Sequence, residues 1–207
     1  MNKKYSRLEK LINKKSTDMK KAISVIFAMS VMLTCMAQEH LLFKGIPITG
    51  SMKEFCAKLT AKGFTNVGSD KNASFFIGDF TGRNSTVCVG ATQDGNNVYG
   101  VLVLFDTSED WNMLVKTYDH YKELYTRKYG KTTFCKEYNP SIVESNTSLM
   151  YELNQGTVVW GSSWSVAGGE IDLSIEKGQE YNSGMVMIRY RDTLNIEDKI
   201  QQELGDI

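Results

Sequence analysis

Proline is nearly missing from this chain, at 2 in 207 residues, and glycine stops at 17. That composition excludes a proline-rich linker, a collagen-like repeat or a low-complexity tract. Histidine is just as scarce. His40 stands near the start of the globular part, where it is expected to be mobile, and His120 stands alone on a predicted helix. No second histidine lies four residues from either, so the paired-histidine zinc motif is absent. The four cysteines, Cys35, Cys56, Cys88 and Cys135, form no Cys-x-x-Cys pair, which removes thioredoxin-like redox chemistry and zinc ribbons. There is no Gly-x-Ser-x-Gly elbow and no phosphate-binding Walker loop. Gly161-Ser162-Ser163-Trp164 lies inside a strand pattern rather than at a strand-to-helix turn, so it is no nucleophile elbow. The sequence therefore nominates no catalytic residue, no metal ligand and no cofactor.

What is present begins with an uneven distribution of charge. The 24 basic residues divide eight to sixteen about Ala37, and the 24 acidic residues divide two to twenty-two. The formal charge of +0 thus conceals a basic leader, at +6, and an acidic remainder, at −6. An acidic body is a poor partner for nucleic acid, whose phosphates need a basic surface. Within the leader, Lys20 and Lys21 precede the apolar run Ala22–Leu33, and Cys35-Met36-Ala37 supplies small side chains at the two positions a signal peptidase reads. Residues 19–37 read as a secretory signal peptide. The apolar run is shorter than the ~20 residues of an ordinary membrane span, so no span is expected to survive processing. Residues 1–18 are lysine-rich and precede a second methionine, Met19, which suggests an over-extended start or else a long cytoplasmic leader. Leu33-Thr34-Cys35 partly resembles a lipobox, so an anchor at Cys35 stays open as the alternative to cleavage before Gln38. Either way the chain is expected to be exported, to the periplasm or beyond.

Residues 38–207 suit a single domain. Ser51-Met52-Lys53-Glu54 is a capping box, and Met52, Phe55, Cys56 and Leu59 share one face of the helix that follows, which stops at Gly63. A second helix is predicted to start near Thr107 or Ser108. Trp111, Leu114, Val115, Tyr118, Tyr121, Leu124, Tyr125 and Tyr129 line its apolar side, and Gly130 ends it. Strand patterns occupy residues 64–67, 74–80, 85–92 and 98–105, then 132–138, 149–153, 157–166, 171–176 and 185–190. Residues 98–105 are so apolar that they predict a strand covered on both faces. Asp94-Gly95-Asn96-Asn97 reads as a hairpin turn and lacks the distal glutamate of a calcium loop. Gly168-Gly169 marks another hairpin. A last helix is predicted over Ile196–Leu204, capped by Asn195. The order is a helix with about four strands, then again a helix with four or five. That predicts an α+β domain: an antiparallel sheet with helices packed on one face, in two halves spanning residues 45–105 and 107–192.

Several short runs carry a resemblance. They are Gly45-Ile46-Pro47-Ile48, Lys62-Gly63-Phe64, Lys128-Tyr129-Gly130 and Ile188-Arg189-Tyr190-Arg191-Asp192, with Phe80, Cys88-Val89, Trp111 and Asn195 between and after them. Together they resemble a group of small exported proteins of gut-type anaerobic Gram-negative bacteria. The doubled helix-plus-four-strand order is similar to the β-lactamase inhibitor protein architecture. The resemblance implies export and fold, and no activity.

With no catalytic constellation, the functional expectation is a non-enzymatic envelope protein that binds a protein or glycan partner through the uncovered sheet face. Two alternatives are a small hydrolase built from scattered carboxylates and tyrosines, and an accessory subunit of an envelope complex. On residues 157–166, Val158, Trp160, Ser162, Trp164 and Val166 share one face. Two tryptophans on one strand face can belong to the core; the alternative is that the small residues opposite lie beneath a covering helix, which would turn Trp160 and Trp164 outward as the binding pair. Cys56 belongs to a helix core. Cys88 and Cys135 fall on strands, and in an oxidising compartment they are the expected disulfide.

Overall fold

The computed structural model describes residues 39–138, 146–205 and 207. The leader, with its signal peptide, start-codon and lipobox readings, lies outside them. A short hairpin comes first, β1 (Leu42–Phe43) and β2 (Ile46–Pro47), then helix α1 (Met52–Ala61). Strands β3 (Thr65–Ser69), β4 (Ala73–Phe80), β5 (Arg83–Ala91) and β6 (Val98–Leu104) follow as a meander. The long helix α2 (Trp111–Tyr129) leads into β7 (Phe134–Tyr138) and α3 (Asn146–Gln155). Strands β8 (Val159–Val166), β9 (Gly169–Lys177) and β10 (Gly184–Asp192) run on into α4 (Thr193–Leu204). No helix among the described residues is long and apolar enough to cross a membrane.

Eight strands form one antiparallel sheet in the order β3-β4-β5-β6-β10-β9-β8-β7. The second half is thus laid against the first in reverse. The two meanders meet where β6 runs antiparallel to β10, with Val103 opposite Ile188. Helices α1, α2 and α3 cover one face. This is the antiparallel α+β class that the order of elements predicts, with an additional helix, α3, between β7 and β8.

Local chemistry explains most of the elements. Ser51 caps α1 by accepting the Glu54 N–H at 3.3 Å, and Phe55 and Leu59 are its buried residues. Helix α2 starts three residues later than predicted, because the Asp110 carboxylate, accepting the Asn112 N–H at 2.8 Å, is its cap. Its buried stripe runs from Trp111 through Leu114, Thr117, Tyr118 and Tyr121 to Tyr125. The predicted strand at 149–153 is instead the end of α3. Met150 and Leu153 are buried while Tyr151 is exposed. Positions three apart share a helical face, whereas a strand would have grouped Tyr151 with Leu153. Helix α4 is capped by Asp192, not by Asn195, which sits inside the first turn and donates its amide to Ile48 O and Val98 O.

The core between the layers is rich in aromatic rings. Phe43 stacks on Phe80 at 5.8 Å and meets Tyr190 edge-on at 5.1 Å. Phe105 stacks on Tyr121 at 4.6 Å. Geometries of this kind add about 0.5–1.5 kcal/mol per pair beyond simple burial. Close approach requires glycine at several positions, Gly169 and Gly78 among them. A side chain at Gly169 would meet Arg191 O at 2.0 Å, and one at Gly78 would meet the Phe64 ring at 2.5 Å.

Candidate functional site

The side of the sheet away from α1–α3 is open, and its side chains fall into cross-strand rows fixed by the register. One row runs Phe75, Cys88, Leu102, Arg189, Asp172, Ser163 and Phe134. The next runs Ile77, Thr86, Leu104, Met187, Ser174, Gly161 and Lys136. The apolar members cluster on β4, β5, β6 and β10, while β9 carries Glu170, Asp172, Ser174 and Glu176. Phe75 and Ile77 are exposed, at 39% and 42%. Leu102, Leu104 and Met187 are half-buried, and Ile196 of α4 shares a depression with Leu102. The expectation that β6 is covered on both faces is therefore corrected. Val101 and Val103 point into the core, while Leu102 and Leu104 lie on the uncovered side.

Charges frame this apolar area. Arg191 Nη2 lies 2.9 Å from Glu170 Oε2 and 2.8 Å from Asp172 Oδ2, the latter a charge contact rather than an aligned hydrogen bond. Ser163 donates to the other Asp172 oxygen at 2.7 Å. Asp172 and Glu170 are thus held by Arg191. A depression of about 420 Å³ opens at the α4 end of this face, with Cys88, Tyr99, Leu102, Arg189 and Ile196 in its wall. Gly90 and Gly100 face each other across β5 and β6 there, and the missing side chains leave room for the Tyr99 ring, 3.1 Å from where a Gly90 Cβ would stand. Burial pushes the Cys88 thiol above its ordinary range, which keeps it protonated.

The two tryptophans lie on the opposite side from this face. Trp164 is 1% exposed, donates its indole N–H to Gly130 O at 3.2 Å and packs on Tyr125 at 5.5 Å. Trp160 meets Trp111 edge-on at 5.3 Å. The expected outward orientation is corrected. Trp160, Ser162 and Trp164 do share one face of β8, but α2 brings Trp111 and Tyr125 to that side, and the small residues Gly161, Ser163 and Ser165 are the ones left on the open face. The expected Cys88–Cys135 bridge is corrected too. Cys56, Cys88 and Cys135 are all free. Strands β5 and β7 stand five positions apart in the sheet, roughly 24 Å at ~4.8 Å per strand. A disulfide needs Cα atoms within about 7 Å.

One polar cluster is the best place to look for catalysis. Beneath α2, Lys122 Nζ donates to Cys135 Sγ at 3.4 Å and pairs with Glu137. Ser162 lies 3.5 Å from the same sulfur and 2.6 Å from the Tyr118 hydroxyl. Burial drives the Tyr118 phenol well above its ordinary range. Burial acts to raise the Glu137 carboxyl, yet the Lys122 ammonium outweighs it and holds the group below its usual value. The carboxylate is thus already committed to a cation, and the thiol has no histidine beside it. His120 is exposed and packs on Tyr121 at 5.2 Å. His40, expected to be mobile, instead lies 3.1 Å from an Asp192 oxygen. No group of three or more His, Cys, Asp or Glu among the described residues is placed to hold a metal ion. Asp94 serves its turn, accepting from Thr92 Oγ1 at 2.6 Å and from the Asn96 N–H at 3.0 Å, and those bonds pull its carboxyl below its usual range.

No family model, no curated protein and no solved structure matches this chain.

Proposed function

We propose that this chain is an exported, non-enzymatic envelope protein that binds a protein partner through the open face of its sheet. The observation that carries the reading is the largely apolar area formed by Phe75, Ile77, Cys88, Leu102, Leu104 and Met187, broken only by the Thr86 hydroxyl, on a face that α1–α3 leave bare. Contiguous apolar surface of this kind marks contact sites in soluble domains. Aliphatic and thioether side chains at its centre suit a protein surface better than a sugar ring, since both candidate stacking tryptophans belong to the core. Arg191, Glu170 and Asp172 supply the polar rim that interfaces use for orientation. Export is the role of residues 19–37, and the acidic body argues against nucleic acid. The hydrolase alternative would need free carboxylates facing a cavity, whereas on this face Glu170 and Asp172 are tied to Arg191 and Glu176 accepts from Ser174 Oγ at 2.7 Å.

The test is site-specific photocrosslinking in intact cells. A photoreactive residue at Leu102 or Met187 is expected to give a discrete adduct with one envelope protein, and one at Lys53, on the exposed side of α1, is expected to give none. Adducts at Lys53 alone, or at no position, would overturn the proposal.

A further inference from the structure

On the helix-covered side, a cavity of about 200 Å³ opens between the second half of α2 and two hairpin turns. Its walls are aromatic: Phe80, Tyr121, Tyr125, Tyr129 and Tyr190. Tyr125 and Tyr129 are stacked at 5.8 Å. Two lysines stand among the rings, Lys44 at 5.8 Å from the Phe80 centroid and Lys128 at 4.8 Å from that of Tyr129. Among the described residues no acidic side chain lines the cavity. In a body whose net charge is −6, this is a local concentration of positive charge inside an aromatic pocket.

Backbone strain marks the same place. Among the described residues, three that are not glycine have positive φ: Lys44 at 49°, Thr81 at 56° and Asn182 at 57°. Asparagine tolerates that region and is a usual choice there, whereas lysine and the β-branched threonine are not. Lys44-Gly45 and Thr81-Gly82 are two-residue hairpin turns with both central residues at positive φ, a geometry best served by Asn-Gly. At both turns the chain forgoes the favoured residue, and at both the residue it uses lines this cavity. Strain retained at a pocket points to a role for the side chain. Thr81 donates to the Tyr121 hydroxyl at 2.9 Å, which in turn donates to Phe80 O at 3.2 Å. Lys44 reaches across to Asp79 O at 3.0 Å. The Asp79 carboxylate itself is engaged by the Gly82 N–H at 3.1 Å.

We infer that this cavity is a binding site for a small planar monoanion, an aromatic carboxylate, with the ring against the tyrosines and the carboxylate between Lys44 and Lys128. The inference is independent of the open-face reading, since it concerns the other side of the sheet. Flat aromatic walls favour a flat ligand. The two ammonium groups, with no competing carboxylate in the wall, select a negative charge.

Titration calorimetry of the purified protein with 4-hydroxybenzoate tests it, with 4-hydroxybenzamide as the neutral isostere. The acid is expected to bind saturably with a Kd of roughly millimolar or tighter, and the amide at least about tenfold more weakly. Lys44→Asn is expected to weaken the acid by about tenfold or more without lowering the melting temperature, because asparagine suits the turn. Lys128→Gln, on the exposed side of α2, is a second variant whose folding is not at risk, and it is expected to weaken the acid likewise. Equal binding of acid and amide, unchanged binding by both variants, or no saturable heat at all would overturn the inference.

Discussion

The buried carboxylate of Asp192 accepts the backbone N–H of Leu41 at 2.8 Å, joining the end of β10 to the segment that enters the domain. Its other oxygen accepts the Asn195 N–H at 3.0 Å and so caps α4. The side chain is fully buried, and the exposed edge of His40 lies against it. One residue thus fixes two chain segments that are far apart in sequence. Asp192→Ala removes a helix cap, worth ~1 kcal/mol, and strands the Leu41 donor, worth about 1–3 kcal/mol. A loss of roughly 2–4 kcal/mol in urea unfolding is expected, with Asp192→Asn intermediate. A loss below about 0.5 kcal/mol for the alanine variant would show that water replaces both bonds.

Fold class was legible because local patterns in this chain agree with the global arrangement. The Ser51–Glu54 box, the α2 stripe and the Ile171-Leu173-Ile175 alternation each specify one element. Strand parity grouped Trp160 with Trp164 and Ser162 correctly. Which of the two groups faces the helices is decided by where α2 lands, and that depends on the order of strands in the sheet. The same order separates Cys88 from Cys135, and no spacing in the sequence encodes it. Residues 149–153 failed for a different reason, since four apolar positions in five suit either period. The open face was foreseeable as a face, but its members on β6 were hidden, because Leu102 and Leu104 read like core residues in a strand of valines. The lysine and threonine turns left no turn signal, because the asparagine that advertises such a hairpin is absent from both.

The tryptophans give the next expectation. Trp164→Ala should cost about 3–5 kcal/mol, as large buried aromatic truncations do, and should lower the urea midpoint accordingly. Trp160 differs, because its indole N–H is buried with no partner. Trp160→Phe keeps most of the contact with Trp111 and removes the unpaired donor. Its stability is expected within about 1 kcal/mol of the parent. A small effect for Trp164→Ala, with loss of partner adducts instead, would restore these residues as a contact site.

Thiol chemistry separates the three cysteines of the body. Cys135 is exposed, whereas Cys56 and Cys88 are half-buried with their thiols pushed up by burial. Alkylation of the native protein at neutral pH is expected to label Cys135 first and the other two mainly after unfolding. Mass mapping of non-reduced peptides should find no Cys88–Cys135 linkage. Labelling of Cys88 at the rate of Cys135 would mean that the β5 side of the open face opens freely to solvent.

The Lys122–Glu137 pair between α2 and β7 gives a dependence on pH. Burial opposes charge on Glu137, but the Lys122 ammonium more than offsets it, so the folded carboxyl sits below its usual value of 4.5. A depressed carboxyl contributes stability above its unfolded pKa and loses it as pH falls through the folded value. Burial likewise acts to lower Lys122, and Glu137 and Cys135 outweigh it, so the ammonium sits above its usual 10.5. That contribution is complete below the unfolded pKa and is lost as pH rises through the folded one. The pair is therefore fully effective between about pH 5 and 10. Both side chains keep some contact with solvent, at 28% and 31%, so the gain is on the order of 0.2–1 kcal/mol. Glu137→Gln preserves an acceptor for Lys122 and removes only the charge. Urea midpoints are expected to favour the parent at neutral pH and to converge with the variant as pH falls below 4.5 and through the depressed pKa of the folded carboxyl. A gap between the two that stays constant over that range would mean that Glu137 acts through shape and hydrogen bonding, and that its charge is silent.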